Sequence, residues 1–155
     1  MTLLGSAGPA GHHPGEAWQV KDGDMMGDDI PRVPTSWGEL LDKITILEVK
    51  ALRLATIEAR ANAGKELAML REIAAPVLSH PEIAPLAIRL KALNETLWDI
   101  EDRIREHERT GDFGEDFIAL ARSVYKTNDQ RGAIKRQINL VLGSVLIEEK
   151  SYRPY

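Results

Sequence analysis

From Trp37 onward the apolar residues of this chain recur at every third and fourth position, the period of an α-helix. Val and Ile follow that spacing too, so no alternating strand pattern is present. Ser36-Trp-Gly-Glu39 reads as a capping box, a serine followed three residues later by a glutamate. The helix it starts places Leu40, Leu41, Ile44, Leu47, Ala51, Leu52 and Ala55 on one face and is expected to run to about Ala61. Asn62-Ala-Gly64 offers a stop or a bend, and a shorter, less regular helix follows from Lys65 to about Leu78. His80-Pro81 and Ala84-Pro85 then break the pattern, because each proline disfavours helix in the residue before it. A third helix, from about Pro85 to Glu108, alternates Leu86, Leu90, Leu93, Leu97, Ile100, Ile104 and His107 at coiled-coil spacings. After a turn at Thr110–Gly114, a fourth helix is expected from Glu115 towards Glu149, on the order of 50 Å if unbroken. Its stripe is Phe117, Leu120, Val124, Ile134, Ile138, Val141 and Val145, with a kink expected at Gly143-Ser144. The pattern predicts an all-α fold, an antiparallel bundle of three long helices and one short one.

Residues 1–34 differ in kind. They hold half the glycines and half the prolines and show no apolar periodicity, and an acidic run, Asp22 to Asp29, lies within them. Such a segment cannot bury enough apolar surface to offset its ordering entropy, so a disordered tail is expected ahead of a single helical domain at 35–155. The adjacent His12 and His13 read as exposed histidines of that tail rather than as a metal site. At 155 residues the chain suits one domain with a core of its own. The absence of cysteine excludes a disulfide framework, thiolate zinc sites and cysteine nucleophiles. A net charge of −4 argues against general nucleic-acid binding, which needs a basic face. No apolar run is long enough to span a membrane and no secretory signal opens the chain, so a cytoplasmic location is the expectation.

Three polar clusters could carry chemistry. Between Ser123 and Asn139 the fourth helix has four cations and one acid, and Tyr125, Asn128, Gly132, Lys135 and Asn139 run beside its apolar stripe, with Arg131 and Arg136 close by. Arginine and lysine on adjacent turns can grip one phosphate, and Gly132 admits close approach of a ligand or helix. The same cations could equally pair with acids of the third helix. Those acids, Glu95, Asp99, Asp102 and Glu106, share one side and form either a Mg²⁺ ladder or a solvated face interspersed with arginines. The third cluster is Glu48, which falls among Ile44, Leu41, Ala51 and Leu52, while Arg131 stands between Val124 and Ile134. A Glu48–Arg131 pair across the bundle would resolve both placements, with Asp42 and Lys43 bordering it. No nucleophile–base set, glycine-rich phosphate loop or metalloprotease motif is present, so no catalytic or metal-ligating residues are assigned.

Glu39-Leu-Leu-Asp-Lys-Ile-Thr-Ile-Leu-Glu-Val-Lys50, Leu97-Trp-Asp-Ile-Glu-Asp102, Ala121-Arg-Ser-Val-Tyr-Lys-Thr-Asn-Asp129 and Glu148-Glu-Lys-Ser-Tyr152 together resemble a family of short bacterial and phage proteins, a domain of unknown function. The resemblance spans about residues 36–155, and the tail looks like an addition to it. Members tend to be encoded near glycosyltransferases and other surface-polysaccharide genes. The resemblance therefore implies a sugar nucleotide or sugar phosphate as the anion, or a glycosyltransferase as partner. One site is expected to gather Asp42, Lys43, Glu48, Asp99, Asp102, Arg122, Tyr125, Asn128, Arg131, Lys135, Glu149, Lys150 and Tyr152. No cofactor is expected. An alternative is a Mg²⁺-dependent all-α nucleotide pyrophosphatase, for which Glu39-x-x-Asp42 and the Asp99–Asp102–Glu106 ladder speak and the missing E-E-x-x-E element speaks against. A further alternative uses the heptads of the third helix as a homodimer seam.

Overall fold

A computed structural model describes residues 30–147 and 149; the expected disordered tail lies, up to residue 29, outside the described residues. Ile30–Val33 are exposed, and the helices all fall in the unit that begins at Pro34. The described residues are all-α, with no strand: α1 Trp37–Arg53, α2 Ile57–Leu78, α3 Ile83–Thr110 and α4 Glu115–Val141.

The serine half of the expected capping box opens α1, where the Ser36 side chain accepts from the Glu39 N–H at 3.2 Å, while the Glu39 carboxylate turns to Lys135. The helix then stops at Arg53, earlier than the expected Ala61. Leu54 turns extended (φ −62°, ψ 141°), and Thr56 accepts from the Ala59 N–H to start α2. A threonine with a glutamate two residues on is a helix-start signal hidden inside an otherwise helical pattern. The expected short second helix is therefore 22 residues long, and Gly64, the anticipated break, lies inside it. The third helix begins at Ile83, two residues before Pro85. Pro85 thus stands in the first turn, where its missing N–H has no intrahelical partner to lose.

Both later helices end on a left-handed glycine. Gly111 (φ 68°) closes α3 with Gly111 N–H to the Glu108 carbonyl and Asp112 N–H to the His107 carbonyl. Gly143 (φ 59°) repeats the arrangement, with Gly143 N–H to Leu140 and Ser144 N–H to Asn139. These are Schellman turns. The expected kink at Gly143-Ser144 is thus a stop, and the fourth helix does not continue towards Glu149.

α1 is the shortest helix and the central one. It packs on α2, α3 and α4, whereas α2 touches α3 only slightly and does not meet α4. α3 and α4 form the most extensive pair, running antiparallel. Leu40, Leu41, Ile44 and Leu47 of α1 meet Ala63 and Leu67 of α2, Leu86 and Leu90 of α3, and Ile134 and Ile138 of α4 in one core. The leucine stripe of α3 thus faces the interior of the chain. No helix among the described residues is long and apolar enough to cross a membrane.

Candidate functional site: a polar seam and its adjoining cleft

Asn128, Arg131, Lys135 and Asn139 recur along α4 at spacings of three and four and share one face. That face meets Gly38, Glu39 and Asp42 of α1, and a ladder of polar contacts results. Asp42, only 3 % exposed, is its hub. Arg131 donates from Nε to Asp42 Oδ1 at 2.8 Å and from Nη2 to Oδ2, a two-pronged guanidinium–carboxylate contact. Asn94 of α3 donates to Asp42 Oδ1 at 3.0 Å and to Thr45 Oγ1 at 2.9 Å, joining a third helix to the same carboxylate. Thr45 donates to the Asp42 carbonyl at 2.8 Å, and Arg131 Nη1 to Asn128 Oδ1 at 3.0 Å. One turn on, the buried Lys135 ammonium pairs with Glu39.

The ladder ends where α4 caps α1. Asn139 Oδ1 accepts the Gly38 N–H at 2.6 Å, and Ser144 Oγ accepts the Trp37 N–H at 3.1 Å while donating to Asn139 at 3.1 Å. The Schellman turn at Gly143 is what carries Ser144 back to that position. The first amides of α1 are thereby satisfied by protein groups rather than left for a ligand. Among the described residues, no buried side-chain nitrogen or oxygen lacks a partner.

The expected Glu48–Arg131 pair does not form. Six helical residues separate Asp42 from Glu48, a rotation that leaves them about 120° apart around α1. Asp42 therefore faces α4, and Glu48 faces the other side, where Arg71 (2.6 Å) and Lys91 (3.1 Å) reach it. The other predicted site residues are distributed as follows. Asp42, Asn128, Arg131 and Lys135 share the seam. Lys43 pairs with Glu66 of α2 at 2.7 Å, and Asp99 pairs with Arg53. Asp102 and Arg122 are exposed, Tyr125 is 39 % exposed, and Glu149 meets Arg136 at 3.0 Å. Lys150 and Tyr152 lie outside the described residues. The sequence reading left Thr45 and Asn94 out of the site, took Ser144 only as part of a kink and Gly38 only as part of a cap, and gave Glu39 a role beyond the cap only in the Glu39-x-x-Asp42 of the hydrolase alternative. The available signal was Gly38, Asp42 and Thr45 recurring at helical spacing, and an asparagine four residues after Leu90 in a leucine-rich stripe.

Along the solvent side of the seam lies an open cleft of about 320 Å³, lined by Asp129, Gly132, Ala133, Lys135, Arg136, Asn139 and Glu149. A second groove, of about 430 Å³, runs between α3 and α4 past Arg89, Thr96, Gln130 and Gln137. No three His, Asp or Glu side chains among the described residues stand close enough to share a metal ion. Three acids of α3 have arginine partners instead: Asp99 with Arg53, Glu101 with Arg105, and Glu106 with Arg109. Away from the seam, the hydrogen bond from Arg109 holds the Glu106 carboxyl below its usual range and raises the arginine in return.

Fold and seam together define a small all-α protein whose buried charges join its helices and whose cleft, lined by Lys135, Arg136, Asp129 and Glu149, opens beside them. The chain belongs to a family of unknown function, DUF6165, whose model matches residues 32–154. Comparison with curated proteins and with solved structures gives no match.

Proposed function

We propose that this chain is a non-catalytic helical module that binds a phosphate-bearing ligand in the cleft beside the α4 seam. One observation carries the reading: within the cleft, Arg136 holds an oxyanion, the Glu149 carboxylate, at 3.0 Å. Gly132 leaves the α4 backbone open to close approach, and the Lys135–Glu39 pair and Asn139 lie beneath it in the seam. A phosphate, like a carboxylate, presents paired anionic oxygens that suit the guanidinium fork. The resemblance to proteins encoded beside glycosyltransferases makes a sugar nucleotide or sugar phosphate the favoured ligand, and surface-polysaccharide assembly the favoured setting, with a glycosyltransferase as candidate partner. Hydrolysis is the weaker reading, because the acids of α1 and α3 engage cations rather than converge on one point.

Thermal-shift titration with pyrophosphate and with a nucleoside diphosphate sugar, each with and without Mg²⁺, tests this. A ligand at a hundredfold excess over its Kd stabilises the fold by about 2.7 kcal/mol, a readily measured rise in Tm. Arg136→Ala, at an exposed position, is expected to remove the response. Absence of any response in the wild-type chain would sink the reading, and pyrophosphate release that requires Mg²⁺ would move it to the hydrolase.

A further inference from the structure

Glu149 does more than mark the cleft. It reaches Arg136 from thirteen residues further along the chain, beyond the Schellman stop at Gly143. Of the residues between, Val145 is 98 % exposed, and Leu146 and Ile147 are exposed as well. The ion pair is itself open to solvent on both sides, at 51 % and 76 % exposure. A solvated pair of this kind is weak, so its formation is readily reversed. Yet the short tether keeps the carboxylate at a high effective concentration around Arg136, on the order of millimolar for such a length. A weak acid, tethered close and paired with the exposed guanidinium that an incoming oxyanion also needs, is placed to compete with that oxyanion.

Resting on the phosphate-binding reading of the cleft, we propose that Glu149 is an intramolecular competitor that occupies the Arg136 position until a phosphate displaces it. Apparent affinity is then the intrinsic affinity multiplied by the fraction of molecules in which Glu149 has let go. For an exposed pair, removing the competitor should tighten binding about two- to fivefold.

The test uses the full chain, inorganic pyrophosphate as probe and isothermal titration calorimetry at low ionic strength. Glu149→Gln is expected to bind about two- to fivefold more tightly than wild type, within the same exposed-pair bound. Asp129→Asn serves as control: it removes another negative charge lining the cleft without freeing Arg136, and should tighten binding less. Arg136→Ala should weaken binding and, combined with Glu149→Gln, erase the gain. Equal tightening by Glu149→Gln and Asp129→Asn would overturn competition in favour of a general charge effect. An unchanged or weakened Glu149→Gln, with Arg136→Ala still impaired, would overturn it while leaving the cleft a phosphate site. No binding by wild type or Glu149→Gln would overturn both. All three substituted side chains are at exposed positions, and a circular-dichroism melt confirms that each variant folds.

Discussion

Asp42 meets three N–H groups, two from Arg131 and one from Asn94, while only 3 % of it reaches solvent. Removing one member of a buried ion pair strands the other, which typically costs about 3–5 kcal/mol. The Arg131 side chain is a quarter exposed and can be rescued in part by water, so Asp42→Ala is expected to lose about 2–3 kcal/mol in urea denaturation. Replacing both residues by apolar side chains of similar size should recover much of that loss, since neither charge is then left alone. Glu48→Ala, by contrast, frees Arg71 and Lys91 into solvent and should cost less than about 1 kcal/mol. The reverse order, Glu48 costly and Asp42 neutral, would be incompatible with this seam. That Glu48 and Arg131 each needed a partner of opposite charge was legible in the residues, and each has one. Which acid faces which helix was not, because periodicity fixes the angles between residues of one helix but not how neighbouring helices are turned against it.

At the scale of the element, the local grammar of caps and stops decides where helices end, and it was partly legible. The helix start at Ser36 and the turn at Gly111 were read correctly. Thr56 was missed because the apolar period runs on without interruption through it, and Gly143 was read as a kink because a glycine's sign of φ is not written in composition. Gly38 shows why one glycine in a helix is unlike another. A Cβ there would stand 2.6 Å from the Lys135 carbonyl oxygen and 3.0 Å from Asn139 Oδ1. The first of these is backbone and cannot rotate away, so α1 and α4 would have to separate. Alanine's intrinsic helix advantage, about 1 kcal/mol, is outweighed when overpacking costs about 1–3 kcal/mol and the Gly38–Asn139 hydrogen bond is stretched as well. Gly64 of α2 has nothing within 4 Å of its would-be Cβ. Gly38→Ala should therefore lower the denaturation midpoint and Gly64→Ala raise it, the latter by about 0.4–1 kcal/mol. Equal signs for the two would refute the close approach of α1 and α4.

At the scale of the whole molecule, the helices are not equivalent partners. α1 contacts every other helix, and α3, α4 and α1 are further locked by the seam through Asp42, Asn94 and Arg131. α2 leans on α1 and barely on α3. Its buried residues are two alanines and one leucine, so it removes little apolar area from water, at about 25 cal/mol per Å². Its ties across to other helices are ion pairs with exposed cations, Lys43–Glu66 and Arg71–Glu48, which contribute little. Regions with few buried apolar contacts open locally before the molecule unfolds globally. Native-state hydrogen exchange should accordingly find the amides of α2 exchanging at lower opening free energy than those of α1, α3 and the seam half of α4. Raising the salt concentration should widen the gap, because it screens the exposed pairs of α2 more than the buried Asp42–Arg131 contact. Protection of α2 equal to that of α1 would mean that the hairpin opens as one unit, and the seam would then not be the element that sets the order of opening.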